Sequence, residues 1–307
     1  MTKVVITCDT NPDYMYYLPI NIAFWQERFG YQVVLGLVGS ADQWGKNDLC
    51  QHVLNTIKKI APGTEFIFLD SFNLLPSYCV ALMMRFFIPL RFPEDFCFTW
   101  DVDMLALNKE YYQPSLDKAV HYYNPGVLGD PPYKLAAGHL GALGCLWREI
   151  LGIESYENIT QKYIKKILMK YKSSWFERLR SLFLSGKDNM HKIKFKNVGF
   201  WDIDQLYLSD ILLAGKHKDK LKIVGYKRDV DYDTMLLRDR IDRANWQFDH
   251  KKKDYYIDVH SVIDNSWDMN LKQWGVLKEI LDLYINSRSQ LISDYTCEFG
   301  RILRGSN

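Results

Sequence analysis

Short apolar runs rich in β-branched residues alternate with longer segments whose apolar positions recur at helical spacing. The runs predict strands at 3–7, 32–38, 64–69 and 96–100, and the segments between them predict helices at 18–29, 49–60 and 77–89. Pro19 in the first turn and Gly30 past the end are typical boundaries for the first helix. This regular alternation predicts an α/β fold with a mostly parallel, doubly wound sheet.

Two aspartates stand one residue apart where the fourth predicted strand ends. Asp101 and Asp103 follow the apolar run 96–100 and precede a second apolar run at 104–107. Residues two apart on extended backbone face the same side, so both carboxylates could bind one divalent cation. Open α/β sheets bind their ligands at the carboxyl ends of strands. The position of this pair therefore predicts a site for a metal ion and a diphosphate.

The Asp-x-Asp pattern is short, and an acidic pair at a strand end is also typical of a solvated turn. The chain contains a second acidic group, formed by Asp229, Asp231 and Asp233. No apolar strand follows this triplet directly. It does not fit a calcium loop either, because Thr234 replaces the required Gly and Arg240 replaces the required Glu. We therefore interpret the earlier pair as the metal site and the triplet as a loop.

The overall charge and cysteine content indicate an ordinary globular protein. The 307 residues have a formal net charge of +2 and are 48% hydrophobic, so the whole chain gives no indication of a nucleic-acid partner. The six cysteines lack zinc-type spacing and are interpreted as buried free thiols in a reducing compartment. No stretch approaches the ~20 apolar residues of a membrane span, and the first residues predict a strand rather than a signal sequence. We therefore expect a cytoplasmic protein.

One segment departs from this even distribution of charge. Residues 162–196 contain 11 Lys or Arg against two acidic residues, a local charge of 11 − 2 = +9, and apolar side chains recur at helical spacing within 174–184. This segment could be an interfacial helix on an anionic membrane, a groove for an anionic acceptor or a docking helix for a partner. An amphipathic helix that packs on its own domain explains the pattern equally well. Peripheral membrane association is therefore one of several alternatives.

The predicted topology, with Asp-x-Asp after about 100 residues, resembles the GT-A nucleotide-sugar glycosyltransferases. The similarity is greatest to their glycogenin-like and lipopolysaccharide-galactosyltransferase-like branch. It implies donor-binding residues near the first strand end, in the third helix, at the Asp-x-Asp and in the glycine-rich stretch 134–149: Thr7, Asp9, Tyr14, Tyr17, Arg85, Asp101, Gly138 and His139. An Asp can accept a hydrogen bond from uracil or ribose, and an aromatic ring can stack on the base.

Each of these residues also has a purely structural interpretation. Asp9 could end a strand beside core tyrosines, and the glycines could serve tight packing. Arg85 lies among apolar residues and requires an anionic partner, which could be a diphosphate or a structural ion pair with Asp101. His139 could bind sugar or phosphate, or it could be a hydrogen-bonded residue of the core.

The stretch 201–210 resembles the Asp-Gln motif with which this branch begins a helix that faces the reacting sugar. The resemblance implies catalytic roles for Asp204 and Gln205, although Leu206 and Ser209 replace an Asp and an Asn of the motif. In an inverting enzyme Asp204 would be the general base, and in a retaining enzyme it would stabilise an oxocarbenium-like transition state. The same aspartate could simply cap the helix.

A late strand that ends in His260 resembles the strand whose histidine completes the metal shell in this branch. The resemblance implies a site formed by Asp101, Asp103 and His260, with Mn²⁺ or Mg²⁺ as cofactor. Neutral imidazole suits manganese better than magnesium. In the family a Gly, a Lys and a Trp follow this histidine, and this chain has them only in part. Trp267 lies seven residues after His260, but no Lys directly precedes Trp267. Another cation could therefore hold the diphosphate.

The resemblance implies metal-dependent transfer of a sugar from a nucleoside diphosphate sugar, with a UDP-sugar favoured, to a hydroxyl of a glycan, protein or lipid-linked acceptor. Two alternatives stay open: a sugar-nucleotidyltransferase of related fold, and a non-catalytic binding module that uses the basic segment. Nucleotidyltransferases usually carry a Gly-rich, basic loop after the first strand, and residues 8–13 do not form one. The predicted units are a nucleotide-sugar-binding half at 1–150, a basic helical insert at 151–200 and an acceptor-side part with C-terminal helices at 201–307.

Overall fold

A seven-stranded mixed sheet forms the centre of the protein. The computed structural model describes residues 1–69, 76–123, 135–159, 163–167, 169–170, 203–213, 215–224, 240–241, 247–254, 256–260 and 271–305. The sheet has the order β3-β2-β1-β4-β7-β6-β8, and among these strands only β7 runs antiparallel to its neighbours. The strands are β1 Thr2–Cys8, β2 Gln32–Val38, β3 Glu65–Leu69, β4 Phe96–Trp100, β6 Val120–Tyr122, β7 His139–Leu143 and β8 Leu221–Ile223.

A second, smaller sheet crosses beside the Asp-x-Asp segment. It is formed by β5 Met104–Ala106, β9 Arg240–Ile241 and β10 Asp258–His260, in the order β5-β10-β9. Strand β10 pairs antiparallel with β5, which sets His260 opposite Met104. A late segment of the chain is therefore joined to the residues that directly follow Asp103.

Helices cover both faces of the central sheet. The α-helices are α1 Pro12–Met15, α2 Tyr17–Ala23, α3 Ala41–Lys46, α4 Asp48–Ile60, α5 Ser77–Phe87, α6 Gly144–Leu151, α7 Ile203–Leu212, α8 Leu271–Tyr284 and α9 Asn286–Gly305. A π-helix, Phe24–Phe29, continues α2, and a 3₁₀-helix, Ile88–Arg91, continues α5. Further 3₁₀ turns in the described part of the chain are Tyr156–Asn158, Lys218–Lys220 and His250–Lys252.

The two faces of the sheet bury two separate cores. Alternate residues of β1 explain the division, because Val4 and Ile6 pack on one side and Val5 on the other. The first core is closed by α2, α4, α8 and α9, and the second by α5, α6 and α7. This layering follows from the continuous apolar strands, which must be covered on both faces.

Local sequence signals fix several helix ends. Ser40 and Gln43 form a capping box at the start of α3, with the Gln43 amide N–H donating to Ser40 Oγ at 3.1 Å. The Asn47 side chain accepts from Cys50 N at 2.9 Å and caps α4. Gly30 ends the π-helix with φ 73°, a left-handed conformation that glycine adopts without strain.

The α/β fold with a mostly parallel sheet is confirmed. The strands predicted at 32–38 and 96–100 have the observed bounds, and the others differ by one or two residues. The single helix predicted at 18–29 is instead α2 followed by a π-helix, and the helix predicted at 77–89 becomes 3₁₀ from Ile88. Pro89 accounts for the second change, because its ring cannot continue an α-helix.

Several predictions concern residues outside the described ranges. They include the acidic triplet at 229–233 and, in the basic segment, residues 162, 168 and 171–196. No helix in the described ranges is long and apolar enough to cross a membrane. All six cysteines are free, but the prediction that they are buried is wrong for Cys145 and Cys297, which are exposed.

We expect Gly144→Ala to destabilise the fold, because the new Cβ would lie 2.6 Å from the Pro89 carbonyl oxygen and closer still to that of Phe92. Overpacking against fixed backbone should lower the free energy of unfolding by roughly 1–3 kcal/mol. Gly45→Ala in α3 is the control, since its Cβ would meet nothing within 4 Å and alanine favours the helix. Urea unfolding measures the stability of both variants. Equal midpoints for the two variants would contradict the packing at Gly144.

Candidate functional site

A cleft opens at the carboxyl ends of β1 and β4. Its walls come from the loop after β1, from α5, from the Asp-x-Asp turn, from the start of α7 and from the end of β10. This is the edge at which open parallel sheets bind ligands. The lining residues are Thr7, Cys8, Asp9, Tyr14, Tyr78, Ala81, Leu82, Arg85, Trp100, Asp101, Val102, Asp103, Asp204, Gln205 and His260.

The cleft brings together residues from five distant parts of the chain. Nine of the predicted site residues line it: Thr7, Asp9, Tyr14, Arg85, Asp101, Asp103, Asp204, Gln205 and His260. Tyr17 does not, because α2 turns it into the first core, where its ring packs edge to face on Tyr16. Gly138 and His139 lie behind the lining. Tyr78 and Leu82 line the cleft and were not predicted, although their spacing from Arg85 along one helix indicates a shared face.

The Asp-x-Asp segment is a tight turn between β4 and β5. The Met104 amide N–H donates to the Asp101 carbonyl at 3.3 Å and closes the turn. The two carboxylates differ in exposure, since the side chain of Asp101 is 31% exposed and that of Asp103 is 7% exposed. The turn therefore presents Asp101 at the surface of the cleft and Asp103 deeper within it.

Arg85 is a buried cation between two carboxylates. Its guanidinium donates from Nη1 to Asp101 Oδ1 and from Nη2 to Asp204 Oδ2, the latter at 2.6 Å. The side chain of Arg85 is 4% exposed and that of Asp204 is 1% exposed. Burial raises the pKa of Asp101, but the neighbouring guanidinium outweighs it and holds this pKa below its usual value. The three side chains therefore form one charged unit that joins β4, α5 and α7.

Asp103 and His260 face each other on the opposite side of the turn, with Oδ2 and Nε2 3.6 Å apart. Two carboxylates and an imidazole are suitable donors for Mn²⁺, so the chemistry of the lining fits the predicted metal. Within the described ranges no three His, Cys, Asp or Glu side chains are gathered closely enough to form a ligand set, and Asp101 is paired with Arg85. The residues therefore fit a metal by donor type and by their common cleft.

Asp9 is held rigidly at the other end of the cleft. Its Oδ1 accepts from the Asn11 amide N–H at 3.2 Å, and its Oδ2 accepts from the Ser77 hydroxyl at 2.7 Å. Each carboxylate oxygen can accept more than one hydrogen bond, so the carboxylate keeps capacity for a ligand. Thr7, in contrast, donates its hydroxyl to the Ala81 carbonyl at 2.7 Å and fastens β1 to α5.

Gly138 lies directly against the Asp101 carboxylate. A Cβ at this position would overlap the carboxyl group of Asp101, so only glycine leaves room for the observed side chain. The small residue predicted to allow close approach of a donor sugar is thus in contact with the aspartate itself. Any larger residue here would displace Asp101 from Arg85.

A buried polar cluster supports the site from behind. Asp258 is fully buried on β10 and accepts from the Tyr112 hydroxyl at 2.9 Å. His139 Nε2 lies 3.5 Å from the same Oδ2, and its ring packs edge to face on Trp100. Sequence reasoning did not select Asp258, although an aspartate between Ile257 and Val259 in a predicted strand indicates a buried polar partner.

Helix α7 presents the Asp-Gln pair in its first turn. Ser209, which departs from the family motif, accepts from the Leu135 amide N–H at 2.9 Å and donates to the Gln205 carbonyl at 2.7 Å. The bond from Leu135 ties α7 to the segment before β7, and the bond to Gln205 lies within α7. Ser209 therefore has a structural role here, and Gln205 keeps its place on the wall of the cleft.

Comparisons with known proteins give structural similarity alone. No family model and no curated protein sequence matches the chain. The fold matches the galactosyltransferase LgtC in complex with donor and acceptor sugar analogues, at 12% identity and a TM-score of 0.45 over 97% of this chain and 96% of that one. An active-site mutant of LgtC matches at 13% identity and a TM-score of 0.48, over 95% of each chain.

A third match is the apo-form glycosyltransferase GlyE of Streptococcus pneumoniae TIGR4. The identity is 12% and the TM-score 0.43, over 99% of this chain and 62% of that one. The observed α/β architecture is consistent with the GT-A fold. At these identities and TM-scores the matches describe an overall arrangement of elements. The chemistry must therefore be inferred from the residues of the cleft.

We expect Arg85→Met to lower the free energy of unfolding at neutral pH by roughly 3–5 kcal/mol, because it leaves the buried Asp204 and the partly exposed Asp101 without their cation. The pKa of Asp101 lies below its value of about 3.9 in the unfolded chain, so the stabilisation is present above pH ~4 and is lost as the pH falls through the folded value. The difference in free energy of unfolding between Arg85→Met and the parent should therefore become smaller at acidic pH.

The control for this variant is Arg301→Met. Arg301 pairs with Glu298 on the exposed surface of α9, and removing such a pair should change stability little. Chemical unfolding from pH 3 to pH 7 measures both variants. A cost for Arg85→Met that stays constant with pH would contradict the assigned ion pair.

Proposed function

We propose that this protein is a metal-dependent glycosyltransferase that takes its sugar from a nucleoside diphosphate sugar. The observation that carries the proposal is the charge of the cleft. Its described lining contains four aspartates and one arginine, a formal charge of 1 − 4 = −3 with His260 neutral, and the arginine is already paired with two of the aspartates. This excess of negative charge favours binding of a cation, and a divalent metal would allow the site to accept a diphosphate.

Asp9 and the aromatic residues beside it suit the nucleotide end of the donor. The Asp9 carboxylate, fixed by Asn11 and Ser77, can accept a hydrogen bond from the imide N–H of uracil or from a ribose hydroxyl. Tyr14 and Tyr78 line the same end of the cleft and offer rings against which a base can pack. These features favour a UDP-sugar.

Asp101, Asp103 and His260 are the residues that would hold Mn²⁺ or Mg²⁺. When bound, the metal supplies positive charge that stabilises the leaving diphosphate. Arg85 supports the same region from the floor of the cleft by fixing the carboxylate of Asp101. Gly138 contributes by leaving space for that carboxylate.

Asp204 and Gln205 are the residues that we propose to act on the sugar and the acceptor hydroxyl. Asp204 is nearly buried and has one oxygen in an ion pair with Arg85, which suits a fixed negative charge near developing positive charge better than proton abstraction. Gln205 can donate or accept a hydrogen bond at the cleft wall. The acceptor is a hydroxyl of a glycan, protein or lipid-linked molecule, and the basic segment 162–196 is proposed to contact it or an anionic membrane.

The decisive measurement is hydrolysis of a panel of nucleotide sugars with and without Mn²⁺, because slow hydrolysis requires no known acceptor. We expect release of the nucleoside diphosphate from a UDP-sugar in the presence of Mn²⁺ and little without it. Hydrolysis that is indifferent to metal and to the nucleotide would contradict the proposal.

Asp103→Asn should abolish the thermal stabilisation that UDP and Mn²⁺ together give the parent. At ligand concentrations of about 100 times Kd this stabilisation amounts to roughly 2.7 kcal/mol. Asp117→Asn is the matched control, because Asp117 lies outside the cleft and pairs with His121 at 2.7 Å and with Lys222. Its melting temperature should still rise with UDP and Mn²⁺. Equal stabilisation of the Asp103→Asn variant and the parent would remove Asp103 from the metal site.

Gln205→Ala should separate chemistry from donor binding. The binding of UDP and Mn²⁺ should change by less than about twofold, whereas kcat for donor hydrolysis should fall by about 100-fold if Gln205 contacts the reacting group. Gln290→Ala on the surface of α9 is the control. The Gln290 side chain donates to Asp294, and neither residue lines the cleft. An unchanged kcat in Gln205→Ala would exclude the residue from the reaction.

A further inference from the structure

Asn21 is a buried polar residue within an apolar helix. It lies on α2, all seven residues of which are buried, and its own exposure is 0%. A side-chain amide at such a position requires hydrogen-bond partners, because burial removes it from water. Its partners are found on another element, at the Asp-x-Asp turn.

The amide nitrogen of Asn21 contacts three backbone carbonyls of that turn. Nδ2 donates to the carbonyl oxygens of Asp101 at 3.1 Å, Val102 at 3.0 Å and Met104 at 2.7 Å. The amide has two hydrogens, so at least one of them is shared between acceptors. The Oδ1 atom has no hydrogen-bond partner among the described residues, so the contribution of Asn21 comes from its donor side.

These bonds fix the two peptide planes between the aspartates. The Asp101 carbonyl belongs to the peptide before Val102, and the Val102 carbonyl belongs to the peptide after it. Because a peptide unit is planar, holding both carbonyls on one donor fixes the rotation of the backbone between Asp101 and Asp103. The directions of the two Cα–Cβ bonds follow from that rotation. One side chain thus determines how both carboxylates enter the cleft.

The turn has other supports, but they act at its ends. Trp100 Nε1 donates to the Met104 carbonyl at 2.7 Å, and the Met104 amide N–H donates to the Asp101 carbonyl. Asn21 adds the contact at the central residue, Val102. A change of the central peptide would rotate Asp103 relative to Asp101 while leaving both ends of the turn in place.

We propose that Asn21 is a positioning residue for the metal site, which orients Asp101 and Asp103 through the backbone of their turn. The inference rests on the proposed function for the identity of the ligand. It assigns the role to a residue that touches neither metal nor substrate, so its effect should be seen in metal affinity and in the backbone of the turn. Outer residues that orient metal ligands typically change metal affinity by 10- to 100-fold when replaced.

The test compares Asn21→Leu and Asn21→Ser with the parent. Leucine has a similar size and no donor, whereas serine keeps one donor on a shorter side chain and guards against a leucine variant that fails to fold. The binding of Mn²⁺ in the presence of UDP is measured by titration calorimetry or by the electron paramagnetic resonance of free Mn²⁺. Hydrogen exchange of the Met104 amide is measured in the metal-free protein.

The control is Asn47→Ser, which alters the cap of α4 without a contact to the turn. We expect Asn21→Leu to weaken Mn²⁺ binding by about 10- to 100-fold and to accelerate Met104 exchange more than exchange in β1 or β2. Asn47→Ser should leave Mn²⁺ affinity within about twofold, whatever its change in melting temperature. A loss of affinity in the control equal to that in Asn21→Leu would overturn the inference, because general destabilisation would then explain both.

The two proposals fail in different ways. If the parent binds no Mn²⁺ with UDP, the proposed function and the metal role of Asn21 are both overturned. If the parent binds Mn²⁺ but both Asn21 variants bind it with the same affinity and show unchanged Met104 exchange, the inference alone is overturned. Faster Met104 exchange together with weaker Mn²⁺ binding in both Asn21 variants supports the inference.

Discussion

The candidate site depends on one buried cation. Arg85 joins the last turn of α5 to the end of β4 and to the start of α7. Its guanidinium contacts both carboxylates directly, with Arg85 and Asp204 almost fully buried and Asp101 partly exposed. A guanidinium suits this place, since its planar fork can donate to two carboxylates at once and it stays charged at any physiological pH. Three elements that are remote in sequence therefore take fixed positions around a single functional group.

Three further interactions act on the same turn from different directions. Gly138 leaves space for the Asp101 side chain, Asn21 holds the backbone of the turn, and β10 brings His260 to the side of Asp103. Their effects are coupled because the turn is only four residues long. A rigid turn suits a site that must present fixed charges to a ligand. Charged groups that are already in position need little reorganisation energy when the reaction occurs.

The sequence predicted features that depend on local patterns. Apolar periodicity located β1 to β4 but not β6 or β7 of the central sheet, and the position of Asp101 and Asp103 after β4 indicated the cleft. Local patterns did not predict the burial of Tyr17 or the π-helix after α2, because both depend on packing in the first core. A tyrosine near a strand end gives no sign of the direction in which its helix will turn it.

The ion pair between Arg85 and Asp101 was one of the alternatives predicted from the sequence, but other contacts between distant segments were not predicted. Asn21 and Asp258 each stand out as polar residues within apolar stretches, which is a usable signal of a buried partner. The signal does not identify that partner. Asn21 and the turn, and likewise Asp258 and Tyr112, are far apart in sequence and are brought together only by the tertiary fold. Ser209 could be explained only once its bond to Leu135 was known.

The pairing of β10 with β5 has a consequence for synthesis of the chain. Asp258 lies opposite Ala106, so about 150 residues separate the two strands, which at 5–20 residues per second corresponds to roughly 8–30 s of translation. During that interval the Asp-x-Asp turn exists without His260, and the first core lacks α9, whose Tyr295 hydroxyl donates to the Tyr16 carbonyl just before α2. A nascent chain thus holds the acidic half of its site before it can complete it, and the ribosome delivers the closing strand and the covering helix almost together.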